Sequence, residues 1–275
     1  MAEGHDRADR WLAQERPEPD LVVIGLPWAP ESSGMAMAPL AIRDRLHRFS
    51  TYHSERGIDL GHLQVIDMGN WPVSRMDQGG VDRYLTDRVS EIPDARLRLF
   101  LGGDDAITSS LLSAFPTNAT GLIRFSSSPP ADPERLEGHE TATVGIQGFT
   151  ASAADHERAA SIGATSMVNS QIAKEGMRMT VDRALGKLAM SKAIHVSVDI
   201  DALDVAFAPG APGAMPGGLT VRELSDAVRR CGASRKVTSM DFVGVDASHD
   251  LADPTLDTMT HLLLSAVAGF AERTA

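Results

Sequence analysis

The feature that most constrains this chain is an alternation. Short runs of consecutive apolar residues recur along it, at 21–25, 63–68, 97–101, 121–125, 143–146, 166–168, 194–199 and 237–242. Short apolar runs closed by Gly, Pro or Asp read as strands buried on both faces. The stretches between them carry apolar residues at helical intervals. Behind Pro39 the series is Ala38, Ile42, Leu46 and Phe49, and the next is Val81, Leu85, Val89 and Ile92. Another helix is expected from Ala106, and more near 151–162, 179–190, 220–231 and 256–270. Strands that alternate with helices pack as a largely parallel sheet between two helix layers. The expected fold is therefore a three-layer α/β/α sandwich, a single α/β domain over 21–275. A polar, frayed segment over 1–20 precedes it, and the Pro- and Gly-rich stretch 206–218 reads as a loop.

Composition narrows the function classes. With 43% apolar residues, 275 residues can bury a full core. The 37 Asp and Glu against 26 Lys and Arg give a net charge of -11, which repels phosphate backbones and argues against a nucleic-acid partner. A single cysteine, Cys231, excludes an intrachain disulfide and a thiolate metal cluster. It shares an apolar helix face with Val221, Leu224 and Val228, which reads as packing. No apolar run approaches the roughly 18 residues of a membrane span. The first twenty residues lack the apolar core of a signal peptide. A cytoplasmic protein with no membrane partner is expected.

In parallel sheets ligands bind beyond the carboxyl ends of the strands. The informative loops follow Leu101, Phe125, Asp199 and Phe242. Gly102-Gly103-Asp104-Asp105 suits a tight turn into a helix, whose N-terminus favours carboxylates. Asp199 and Asp201 are two apart, so on an extended chain both side chains point the same way. Such a pair requires a cation, a proton or hydrogen bonds. Nine histidines show no His-x-x-x-His spacing. His195 reads as packing, and His249 beside Asp250 as a turn or cap.

Residues 197–204, Ser-Val-Asp-Ile-Asp-Ala-Leu-Asp, with Phe207-Ala208-Pro209-Gly210 and Gly217-Gly218-Leu219-Thr220, resemble the third signature of the ureohydrolases. That family includes arginase, agmatinase and formimidoylglutamase. Ala41-Ile42-Arg43, Phe49-Ser50-Thr51-Tyr52, Asp67-Met68-Gly69-Asn70 and Gly145-Ile146-Gln147-Gly148 are similar to further family segments, so the resemblance covers most of the chain. It implies two divalent metals, manganese or nickel, held by six ligands on strand ends and bridging a hydroxide that attacks a guanidinium or amidine carbon.

This sequence departs from that pattern where the chemistry lies. The family's G-G-D-H histidine is replaced by Asp105. The three ligands of its D-A-H-x-D motif fall on Ser126, Ser128 and Pro130. Its guanidinium-recognising Glu falls on Gly244. Only Asp199 and Asp201 match ligand positions. The loop carrying the family's proton-shuttling His is shortened between Pro130 and Val144, and His139 within it has no clear counterpart. The resemblance therefore implies a chain with no catalytic residue and no metal of its own. It is similar to the ligand-lacking subunit that metformin hydrolase pairs with an active nickel-dependent one. The expected partner is a catalytically intact ureohydrolase paralogue carrying nickel or manganese, in a hetero-oligomer. Two other readings stay open: a free-standing sensor that binds a small cation in the vestigial pocket, and a divergent active amidinohydrolase. Arg124 stands two residues before Ser126 and on the same strand face. Its guanidinium is expected to reach the vacated cavity and pair with Asp199, Asp201 or Asp105.

Overall fold

The computed structural model describes residues 7–13, 18–29 and 33–273. Among them, β1 (Leu21–Leu26) is followed by a small antiparallel hairpin of β2 (Tyr52–His53) and β3 (Ile58–Asp59). The remaining strands are β4 (Val65–Asn70), β5 (Leu97–Gly102), β6 (Thr120–Phe125), β7 (Thr141–Ile146), β8 (Thr165–Val168), β9 (Ala193–Asp199) and β10 (Val237–Val243). With β1 they form one sheet in the order β4-β1-β5-β10-β9-β6-β7-β8. Every pairing in it is parallel.

The continuous apolar runs exist because both faces are covered. Leu21, Val23, Leu99, Ile123, Val144, Val196 and Met240 belong to one core cluster. The same cluster holds apolar residues of α1 (Ala8–Leu12), α2 (Ala38–Arg45), α7 (Met177–Lys187), α8 (Val221–Ala233) and α9 (Pro254–Ala271). Val22, Ile24 and Phe100 point the other way, against α3 (Gln78–Arg88) and α4 (Ala106–Ser113). Ile162, ending α5 (Ala153–Ser161), closes that layer beside Leu122. The three-layer sandwich expected from the sequence is the observed fold.

Differences in detail have local causes. The segment 1–20 is not frayed throughout: 8–12 is helical, because Ala8, Trp11 and Leu12 bury one face and Trp11 Nε1 donates to the Leu63 carbonyl at 3.1 Å. Residues 1–6 and 14–17 lie outside the described residues. The helix expected over 179–190 starts earlier, as α7, and follows a separate α6 (Asn169–Glu175). The break is at Gly176, whose φ of 84° leaves the helical region.

On the α4 side the centre of the sheet is polar. The register sets His195 beside Ser239, and Ser197 beside both Asp241 and Arg124. His195 lies 2.7 Å from Ser239 Oγ through Nδ1 and 2.8 Å from Asp241 Oδ2 through Nε2, all buried. Thr108 on α4 reaches Ser197 Oγ at 2.9 Å. His195 is thus a buried, hydrogen-bonded group of the core. Cys231 is fully buried, and burial pushes its thiol up to about 12.

Candidate strand-end site

The carboxyl ends of β5, β6, β9 and β10, the four central strands, carry Asp105, Ser126, Ser128, Asp199, Asp201 and Gly244. Asp199 is the last residue of β9. The next three residues, Ile200–Ala202, form a 3-10 turn, so Asp201 does not sit on an extended chain. The expectation that strand alternation aligns the two carboxylates is corrected here. They converge because Asp199 Oδ1 accepts the Asp201 N–H at 3.0 Å, the local hydrogen bond that ends strands at Asp.

Asp201 has both oxygens engaged. Ser127 donates its backbone N–H to Oδ1 at 2.9 Å and its hydroxyl to Oδ2 at 2.5 Å. Sequence reasoning passed over Ser127, since only its neighbours Ser126 and Ser128 fall on ligand positions. The available signal was a hydroxyl facing away from them just beyond β6. Ser126 and Ser128 are joined to each other, Ser128 N donating to Ser126 Oγ at 3.5 Å. Gln147 donates to the carbonyls of Asp201 and Ala202 at 3.1 and 3.3 Å, fixing the turn from β7.

Burial pushes the Asp199 carboxyl well above the ordinary carboxylate range. Asp201 and Asp105 push the same way, against the Asp201 N–H and Arg124. Burial also raises Asp201, opposed by the Ser127 hydrogen bonds and Arg124. Arg124, on β6, has a side chain only 7% exposed. Its Nη2 donates to Asp105 Oδ2 at 3.5 Å, and its Nη1 is buried without a partner. The guanidinium contacts Asp105, and its charge opposes the rise of the Asp199 and Asp201 carboxyls. Asp105 opens α4 but caps nothing with its side chain. The neighbouring Asp104 accepts Ala106 N–H at 3.0 Å.

Gly244 follows β10 at φ 88°, donating its N–H to the Gly103 carbonyl at 2.9 Å. A Cβ there would stand 2.3 Å from Asp199 Oδ1. Any side chain, a Glu included, would need the Asp199 carboxyl to shift and would strain a backbone at φ 88°. Asp246, two residues on, serves structure. Burial raises its carboxyl, but hydrogen bonds from Ser248, His249 and Gly34 hold it below the usual range. His249 reaches it at 3.1 Å and is otherwise exposed. His139 is buried against the Thr120 carbonyl at 2.8 Å.

These residues do not fit a pair of divalent ions. Both oxygens of one remaining carboxylate are taken by Ser127, and a guanidinium supplies the positive charge that a metal would bring. Among the described residues no group of three or more His, Cys, Asp or Glu is placed to hold a metal ion.

The fold that sets this site recurs in known proteins. A formimidoylglutamase of Halalkalibacterium halodurans is 29% identical over 90% of this chain and 86% of its own length. A proclavaminate amidinohydrolase of Streptomyces clavuligerus is 26% identical over 84% of this chain and 82% of its own. The crystal structure of Bacillus subtilis formimidoylglutamase superposes with a TM-score of 0.86 at 26% identity, covering 98% of this chain and 93% of that one. The arginase family profile matches residues 19–128 and 128–269, the whole sheet and all four strand ends, and the chain belongs to the arginase family.

Proposed function

We propose that this chain is a non-catalytic subunit of the arginase fold. It assembles with a catalytically intact paralogue, a nickel- or manganese-dependent hydrolase of guanidine or amidine bonds, with biguanides such as metformin within the substrate class. The observation that carries this reading is Arg124. A buried guanidinium contacts Asp105 and acts on Asp199 and Asp201 through space, while both Asp201 oxygens accept hydrogen bonds from Ser127. A bound cation would have to displace that guanidinium and break those hydrogen bonds. The fold is retained along the whole chain without that chemistry, which is the pattern selection for assembly leaves. Phe149 adds support. It is fully exposed beyond β7 at a φ of 66°, a strained and solvated aromatic that an assembled partner would cover.

The names of the relatives favour one other reading, a divergent active amidinohydrolase, and a single experiment separates the two. The chain is purified alone and co-expressed with an intact arginase-family paralogue. Metal content, native mass and hydrolysis of arginine, agmatine, guanidine and metformin are then measured. The expected result is a mixed oligomer whose activity depends on both chains, and less than one manganese or nickel per isolated chain with no turnover. Two tightly held metal ions with turnover by the isolated chain would establish the active reading. Homo-oligomers only, with a partner equally active alone, would overturn the subunit reading.

A further inference from the structure

A second region shares no residue with the strand-end site. A cleft of about 630 Å³ opens in the outer helix layer between α8, α9 and the β2–β3 hairpin. One stripe of α8 lines it, Arg222, Ser225, Asp226 and Arg229, spaced so that all four lie on one face of the helix. His261 of α9 and His53 of the hairpin face that stripe.

Two acids line the cleft, Asp226 and Glu55. Asp226 accepts from Arg56 at 2.9 Å, and Glu272 is held by Arg229 Nη1 at 2.8 Å. What remains is mostly donors. Arg222 is exposed and has no partner among the described residues. Ser225 Oγ is buried without a hydrogen-bond partner, and Arg229 Nε makes no hydrogen bond but faces Asp226 Oδ1 at 3.8 Å. Unmet buried donors cost free energy, and an acceptor brought to the cleft floor would recover it. Partial burial and the facing His53 hold His261 below its ordinary range, with Glu55 opposing.

We propose that this cleft binds a small dianion, a phosphate monoester or a dicarboxylate, through Arg222, Ser225 and Arg229. A guanidinium fork matches either oxyanion with two parallel hydrogen bonds. The volume lies within the roughly 300–1,000 Å³ of small-molecule sites. The site stands independently of the subunit reading, since the isolated chain contains it whole.

The test is calorimetric titration of the full-length protein with inorganic phosphate and, separately, with succinate, at constant ionic strength set by sodium chloride. Saturable one-to-one binding of at least one probe is expected, and the tighter of the two identifies the ligand class. Arg222→Gln should weaken it about tenfold or more, a difference of about 1.4 kcal/mol. Ser225→Ala should weaken it severalfold, and Asp199→Asn at the strand ends should leave it unchanged. Arg222 is exposed, so its variant tests binding in a folded protein, confirmed by an unaltered circular dichroism spectrum. No saturable binding by either probe up to about 10 mM would overturn the proposal. Binding that survives both cleft substitutions, or that Asp199→Asn abolishes, would overturn it equally.

Discussion

Asp241 and Asp199 lie on adjacent central strands, two steps apart along the sheet, and both are buried. Asp241 meets an imidazole. His195 sits 2.8 Å from its Oδ2 and is braced by Ser239 at 2.7 Å, with Phe115 packed on the ring at 5.6 Å. Asp199 meets far less. Its Oδ1 accepts one backbone N–H, and Arg124 acts on it only through space. Asp241 is matched within the core and belongs to the fold. Asp199 is a carboxylate at a strand end whose natural complement is not a neighbouring side chain. Buried polar groups matched in place hold a core together, whereas the carboxyl ends of parallel strands are where ligands bind.

That contrast is sharpest when each region loses its cationic or imidazole partner. His195→Ala should be the most destabilising single change, about 3–5 kcal/mol by urea unfolding. It strands Asp241, whose Oδ1 already lacks a partner, and leaves a ring-sized hole under α4. Arg124→Ala should follow at roughly 3 kcal/mol, because a buried guanidinium that acts on three carboxylates is removed. Little of that loss should come from its contact with Asp105, which is 42% exposed and 3.5 Å away. A double-mutant cycle with Asp105→Asn should return a coupling below about 1 kcal/mol. If Arg124→Ala proves costlier than His195→Ala, the strand-end cluster is a structural core and the comparison fails.

The sequence displayed the scaffold more plainly than the site, for a physical reason. Strands such as β5 and β9 are buried on both faces, so burial writes itself as an unbroken apolar run. Asp105, Ser126, Ser128 and Gly244 were equally visible, because their residue types depart from the motif that the resemblance supplies. What stayed hidden depends on contacts far apart in the chain. Ser127 matters only because the turn after β9 brings Asp201 to it, 74 residues away. The β2–β3 hairpin pairs two residues with two and leaves no period to read. Helix α1 is short and set in a polar stretch, so average polarity masked the spacing of Ala8, Trp11 and Leu12. The convergence of Asp199 and Asp201 was anticipated with the wrong cause, since an aspartate side chain competes with the strand for the next N–H.

The smallest expected effect distinguishes the two carboxylates by sign. Burial, Asp201 and Asp105 raise the Asp199 carboxyl in the folded state. A group whose folded pKa lies above its unfolded value binds more protons when folded. Its favourable contribution is complete below the unfolded value near 3.9 and is lost as pH rises through the folded one. Asp199→Asn keeps the shape and an acceptor for the Asp201 N–H but cannot ionise. At pH 5, already above the unfolded value, it should lead the parent chain slightly, by about 0.5 kcal/mol. By pH 8 it should be the more stable protein, by about 1 kcal/mol. Asp241→Asn should show no such gain, since it weakens the hydrogen bond with His195 at every pH. Urea unfolding of both variants at pH 5, 6.5 and 8 makes the comparison. An Asp199→Asn variant less stable than the parent at pH 8 would mean that the ionised carboxylate is compensated in place, and that the strand-end pair is as well matched as the one beneath α4.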